Sequence, residues 1–124
     1  MSKILIVDDS PDMLTVFNWL LHKRGYDCVT TYYKKGIFNQ LAKFTPSLII
    51  LDVNLIGEDG REICMEIKSN PETKKVPVII CSGNHDLLAN YEEYLADDYL
   101  EKPFEINTVI KKIEHVLNKQ KVVS

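Results

Sequence analysis

Ser47-Leu48-Ile49-Ile50-Leu51-Asp52-Val53-Asn54 is an apolar run that stops at a carboxylate. A short, continuous apolar run fits a strand buried on both faces, as in a parallel sheet. Asp52 then stands where that strand emerges. In open α/β sheets, ligands bind at the carboxyl ends of the strands. One acid is therefore held at a rigid strand tip, and the question is which other groups converge on it.

Upstream, Lys3–Val7 reads as a strand from its Ile/Leu/Val run, closed by Asp8 and Asp9. Ser10 is a good N-cap and Pro11 suits a first helical turn, so a helix is expected to about Arg24, with Gly25 as its stop. Its core stripe is read as Met13, Val16, Phe17 and Leu20. Leu14, Trp19 and Leu21 widen that face, and Trp19 is expected to be only partly buried. Cys28–Thr31 is a short strand. Lys34 to about Phe44 is a helix with Ile37, Leu41 and Phe44 on one face, ended by Pro46.

Downstream, Gly57–Gly60 is a loop and Arg61–Ser69 a helix that Asn70-Pro71 ends. Val76–Cys81 is a strand with Pro77 near its start, because proline cannot donate to a ladder. His85 to about Leu95 is a weakly patterned helix and Asp98–Glu101 a short strand. Phe104 to about Asn118 is the clearest amphipathic helix. Ile106, Val109, Ile110, Ile113 and Leu117 are expected inside; Lys111, Lys112, Glu114, His115 and Asn118 are expected in water. Residues 119–124 read as a frayed tail. Strand and helix thus alternate five times. The expected fold is α/β: a five-stranded parallel sheet with helices on both faces, wound by right-handed crossovers.

The 124 residues make one domain. Apolar (45%) and charged (27%) shares are those of an ordinary globular protein. A net charge of -3 gives no sign of a direct nucleic-acid binder. The apolar runs are too short for a membrane span, and the first one is too short for an export signal. No membrane association and a cytoplasmic location are therefore the expectation. Cys28, Cys64 and Cys81 are odd in number and widely spaced, which fits small apolar core residues better than disulfides or a zinc site.

In a parallel sheet all strands end on one side, so the residues after them share one crevice. Asp8 and Asp9 follow the first strand and Asp52 the third, with Asn54 two residues on. Cys81-Ser82-Gly83 ends the fourth, and Lys102-Pro103 follows the fifth. Three carboxylates together repel one another and call for a compensating cation. Oxygen ligands of this kind suit magnesium. An acid, a hard metal, an amine and a hydroxyl are the parts needed to move a phosphoryl group onto a carboxylate nucleophile.

With these residues in place, the chain resembles a receiver (response-regulator) domain of bacterial two-component signalling, of the chemotaxis-regulator kind. Asp8-Asp9, Asp52, Ser82 and Tyr99-Leu100-Glu101-Lys102-Pro103-Phe104 match the family's signature in order. The match covers essentially residues 1–124 as one receiver domain. The resemblance implies a flavodoxin-like doubly wound (βα)5 sheet in the order 2-1-3-4-5. It also implies roles. Asp52 is the phosphoacceptor, with Ser82 and Lys102 assisting at the site. Asp8, Asp9, Asp52 and the backbone carbonyl of Asn54 hold Mg2+. Ser82 and Tyr99 are the switch residues, and Lys102-Pro103 is a cis bond. A sensor histidine kinase or a histidine phosphotransfer protein is the implied donor. An output protein that the sequence does not identify would read the surface formed by the fourth helix, fifth strand and fifth helix. Such a domain is a phosphoacceptor, not an enzyme that turns over an external substrate. Two departures stand out. Leu55-Ile56 replaces a common Met-Pro, which is expected to alter the loop. Leu95 replaces a common glycine, which is expected to alter the turn before the last strand.

Singly, each residue has an ordinary reading. Asp8 and Asp9 suit a helix N-terminus, Ser82 a loop cap, Lys102 a surface lysine, Tyr99 a core ring and Asn54 a turn. His22, His85 and His115 read as surface residues. Other functions fit less well. A hydrolase with an aspartyl-phosphate of the haloacid-dehalogenase type needs a second acid where Asn54 stands. A flavin or nucleotide carrier needs a glycine-bearing phosphate loop where Asp8–Asp12 is acidic. A receiver-like scaffold that works without phosphorylation leaves the acceptor set without a use. No effector segment is read in the sequence, which fits either a stand-alone regulator or part of a longer one. Asn54 and Asn84, each two residues past a site group, are expected to affect dephosphorylation more than stability.

Overall fold

The computed structural model describes residues 3–123, and side chains over residues 3–119. Five strands form one parallel sheet: β1 (Lys3–Val7), β2 (Asp27–Thr31), β3 (Leu48–Asp52), β4 (Val78–Ser82) and β5 (Asp98–Glu101). Their order is β2-β1-β3-β4-β5. The helices are α1 (Pro11–Lys23), α2 (Lys34–Leu41), α3 (Gly60–Ser69), α4 (His85–Leu88) and α5 (Ile106–Val123). The expected doubly wound fold is what the chain adopts.

Alternation along each strand divides the core into two layers. Ile4, Ile6, Leu48, Ile50, Ile79 and Leu100 pack with Phe17 and Leu21 of α1 and with Val109 and Ile113 of α5. Leu5, Val7, Ile49, Leu51, Val78 and Ile80 pack on the other face, with Ile37 of α2, Ile63 and Ile67 of α3 and Leu88 of α4. β3 is buried at all five positions, and in it the register runs from Ile49 opposite Val78 to Asp52 opposite Cys81.

Several boundaries and faces differ from the sequence reading. In α1 the buried residues are Leu14, Phe17, Leu20 and Leu21, and Val16 is 49% exposed. The helix has apolar side chains almost all round, so period alone could not choose between neighbouring stripes. In α5, Val116 is buried and Ile106 is 47% exposed. The helix starts at Ile106, because Phe104 leaves the chain direction to pack on Phe17, ring centroids 5.2 Å apart. It also continues through residues expected to fray, as far as Val123; Lys and Gln favour helix there and nothing breaks it. Ser124 lies outside the described residues.

α2 ends at Leu41, and β4 begins after Pro77, which keeps the proline out of the ladder. The expected helix over 85–95 is instead the one-turn α4 and a separate 3-10 turn, Tyr91–Tyr94. Leu95 closes that turn at φ 67, so the turn is made in the form that favours glycine, with leucine in it. The loop after β3 contains a small antiparallel ladder, Asn54–Leu55 with Glu58–Asp59, turned at Gly57. Among the described residues no helix is long and apolar enough to cross a membrane.

Candidate functional site

Asp8, Asp9, Asp52, Ser82 and Lys102 all lie at the carboxyl edge of the sheet, as the sequence implied. β1 ends into Asp8, whose N–H is held by the Thr31 carbonyl of β2 at 3.2 Å. Asp8 accepts the Ser10 N–H through Oδ1 at 2.9 Å. Ser10 in turn caps α1 by accepting the Met13 N–H at 3.3 Å. The first acid is thus fixed by the start of the first helix.

Asp52 is 5% exposed. Its Oδ1 accepts the Asn54 N–H at 3.2 Å, and its Oδ2 lies 3.6 Å from Lys102 Nζ. Gly60 backs it: a Cβ at residue 60 would fall 2.1 Å from the Asp52 carbonyl oxygen, so only glycine lets α3 start there. Burial pushes the Asp52 carboxyl up to about 6, and the charges of Asp8 and Asp9 add to it. Lys102 and the Asn54 N–H pull the other way. This acid gives up its proton reluctantly until a cation arrives.

Lys102 donates to Asp8 Oδ2 at 2.8 Å. Burial pulls its pKa down, but the Asp8 bond and the nearby anions outweigh that and leave it raised, so the amine is charged. Its backbone N–H is held by the Ser82 carbonyl at 2.8 Å, and the Lys102–Pro103 bond is cis. One oxygen from each of Asp8, Asp9 and Asp52 lies within 4.8 Å of the others. Three hard oxygen donors, two of them on buried side chains, fit a divalent ion of the magnesium class.

Ser82 is fully buried. It donates to Asn54 Oδ1 at 2.9 Å and accepts the Asn84 N–H at 3.0 Å. The link between the Asn54 side chain and Ser82 was not visible in the sequence; only the small ladder after β3 brings it about. Tyr99 stands apart from the acids, half-buried on β5, with its ring centroid 5.0 Å from that of Tyr91. His85, read as a surface residue, is exposed, and its Nδ1 lies 2.6 Å from Glu101 Oε1. Cys64 and Cys81 are buried thiols pushed up to about 12 by burial, and Cys28 to about 11, so they are unreactive.

A family model described as the response regulator receiver domain matches residues 4–114. The response regulator ArlR of Staphylococcus saprophyticus is 33% identical over 120 residues, covering 97% of this chain and 54% of that protein. The transcriptional regulatory protein YxdJ of Bacillus subtilis is 32% identical over 114 residues, covering 92% and 49%. The chain therefore spans about half the length of the curated relatives it matches. Among solved structures, the signal receiver domain of a signal transduction histidine kinase from Syntrophus aciditrophicus superposes with TM-score 0.88 at 26% identity, over 96% of this chain and 92% of that one. A CheY-like receiver domain protein from Methanospirillum hungatei has the same fold, with TM-score 0.90 at 21% identity, over 100% and 99%.

Proposed function

The chain belongs to the response regulator receiver domain family, and from that premise we propose that it is a phosphorylation-dependent switch with Asp52 as its acceptor. The donor is a sensor histidine kinase or a histidine phosphotransfer protein, and the setting is the cytoplasm. The observation that carries this reading is the buried Asp52 at the end of β3, 3.6 Å from a charged Lys102 and clustered with Asp8 and Asp9.

The chemistry rests on the groups present. An oxygen of ionised Asp52 attacks phosphorus, an O–P bond forms, and the donor's N–P bond breaks with its electron pair leaving on the imidazole. Lys102 meets the charge on the transferred oxygens. The acids Asp8, Asp9 and Asp52, with the backbone carbonyl of Asn54, would hold Mg2+, which supplies further neutralisation of those oxygens when bound. Ser82 turns from Asn54 toward the new phosphoryl group, and Tyr99 moves with it. The two packings differ in population, not in fold. The change is read at α4, β5 and α5 by an output protein. The domain takes part in gaining and losing its own phosphoryl group and turns over no external substrate.

The test is incubation with Mg2+ and a small phosphodonor, with intact mass measurement as the readout. An adduct that survives acid and is lost in base is expected on the wild type and not on Asp52→Ala. No adduct on the wild type, or an undiminished one on the variant, would overturn the reading.

A further inference from the structure

Lys112 lies on the face of α5 read as solvent-facing, yet it is partly buried and turned onto β5. Its ammonium donates to the Tyr99 carbonyl oxygen and to Asp98 Oδ1. It stands 3.7 Å from the centroid of the Tyr99 ring. At that distance a cation is attracted by the negative ring face. A cavity of about 280 Å³ adjoins the same ring, lined by His85, Leu88, Ala89 and Tyr91.

We propose that Lys112 is a positioning residue that holds the Tyr99 ring in its resting place and so sets how much phosphorylation is needed to release it. This deepens the switch reading above and rests on it. Tyr99 has two ring partners, and they differ in what they are attached to. Tyr91 belongs to the short 3-10 turn, on the same side of the ring as the cavity that it helps to line. Lys112 belongs to α5, which is anchored by buried Val109, Ile113 and Val116. Its other two bonds go to the backbone and acid of β5, which stay put when a side chain rotates. Any rotation of Tyr99 into the neighbouring cavity therefore leaves the ammonium behind. The contact opposes the switch, and its loss is part of the transition.

The experiment uses protein labelled with ring-13C tyrosine, the Tyr99 signal being assigned by Tyr99→Phe, with beryllofluoride and Mg2+ as the phosphoryl mimic. Lys112→Met keeps the apolar stem and removes the charge. Its Tyr99 signal, without beryllofluoride, is expected to move toward the position that saturated wild type shows. Its half-saturating beryllofluoride concentration is expected to fall about threefold, the factor that a partly exposed cation–π contact is worth. Lys112→Arg, which keeps a cation, is expected to stay at the wild-type position. A Lys112→Met signal and midpoint equal to wild type would overturn the proposal, as would Lys112→Arg shifting as far as Lys112→Met. A wild type that shows no response to beryllofluoride at all would instead overturn the phosphoacceptor reading, and the release role of Lys112 with it.

Discussion

Ser82 donates its hydroxyl to the Asn54 side-chain oxygen at 2.9 Å, across 28 positions of sequence. A fully buried hydroxyl needs a partner, and here the partner belongs to the loop just after Asp52. In the proposed switch, Ser82 has to leave Asn54 to reach a phosphoryl oxygen on Asp52. Asn54→Ala removes that competition. The phosphoryl group on Asp52 is expected to last about fivefold longer, as one hydrogen bond of about 1 kcal/mol implies. Following loss of labelled phosphate from the purified adduct checks this; an equal or shorter half-life would count against it. Asn84 also caps α4, its side chain accepting the Asp86 N–H at 3.0 Å, so its substitution is expected to cost stability as well.

Asp52→Asn is expected to stabilise the metal-free protein. The folded carboxyl titrates at about 6, against about 3.9 in an unfolded chain. The folded state thus binds the proton more tightly. Stability from this group is fully present below about pH 4 and is lost as pH rises through about 6. At pH 7.5 the neutral isostere is expected to gain about 1–2 kcal/mol, allowing for screening. The gain shrinks as pH falls toward 4. Thermal melts of both proteins in chelator across that range measure it. A gap that does not change with pH would contradict the assignment to Asp52.

Gly60→Ala tests the seating of Asp52. The new Cβ would meet Asp52 and Val53 backbone atoms at 2.1 and 2.8 Å. Backbone cannot swing aside as a flexible side chain does, so a cost of about 3 kcal/mol is expected. Phosphorylation is expected to slow as well, because relief of the clash moves Asp52. Urea unfolding and the adduct assay read the two effects separately.

Leu95→Gly is expected to stabilise. Leucine at φ 67 carries about 1 kcal/mol of steric cost that glycine does not. Some of the gain is offset by the extra freedom of glycine in the unfolded chain, leaving about 0.5 kcal/mol. Leu95→Ala keeps the steric cost and is expected to gain nothing. Urea midpoints of the two variants decide the matter.

The sheet was legible because each strand is a short apolar run with polar residues at its carboxyl end. Asp8, Asp52 and Lys102 could be put in one crevice from that alone. The features that stayed hidden depend on packing between elements. Val16 and Leu14 are both apolar, and only the docking of α1 on the sheet decides which is buried. The 85–95 segment breaks at Ala89-Asn90, between α4 and the 3-10 turn, and turns left-handed at Leu95; no apolar period reports either. Lys112 looks like any solvent-facing lysine until β5 lies beside it.

Lys102 and Asp8 bond across 94 residues, joining the residue just past the last strand to the residue just past the first. The cation of the crevice is thus carried from the edge strand β5 to the inner strand β1, over β3 and β4. Loosening of that edge would cost the buried Asp8 its partner even though no residue near Asp8 had changed.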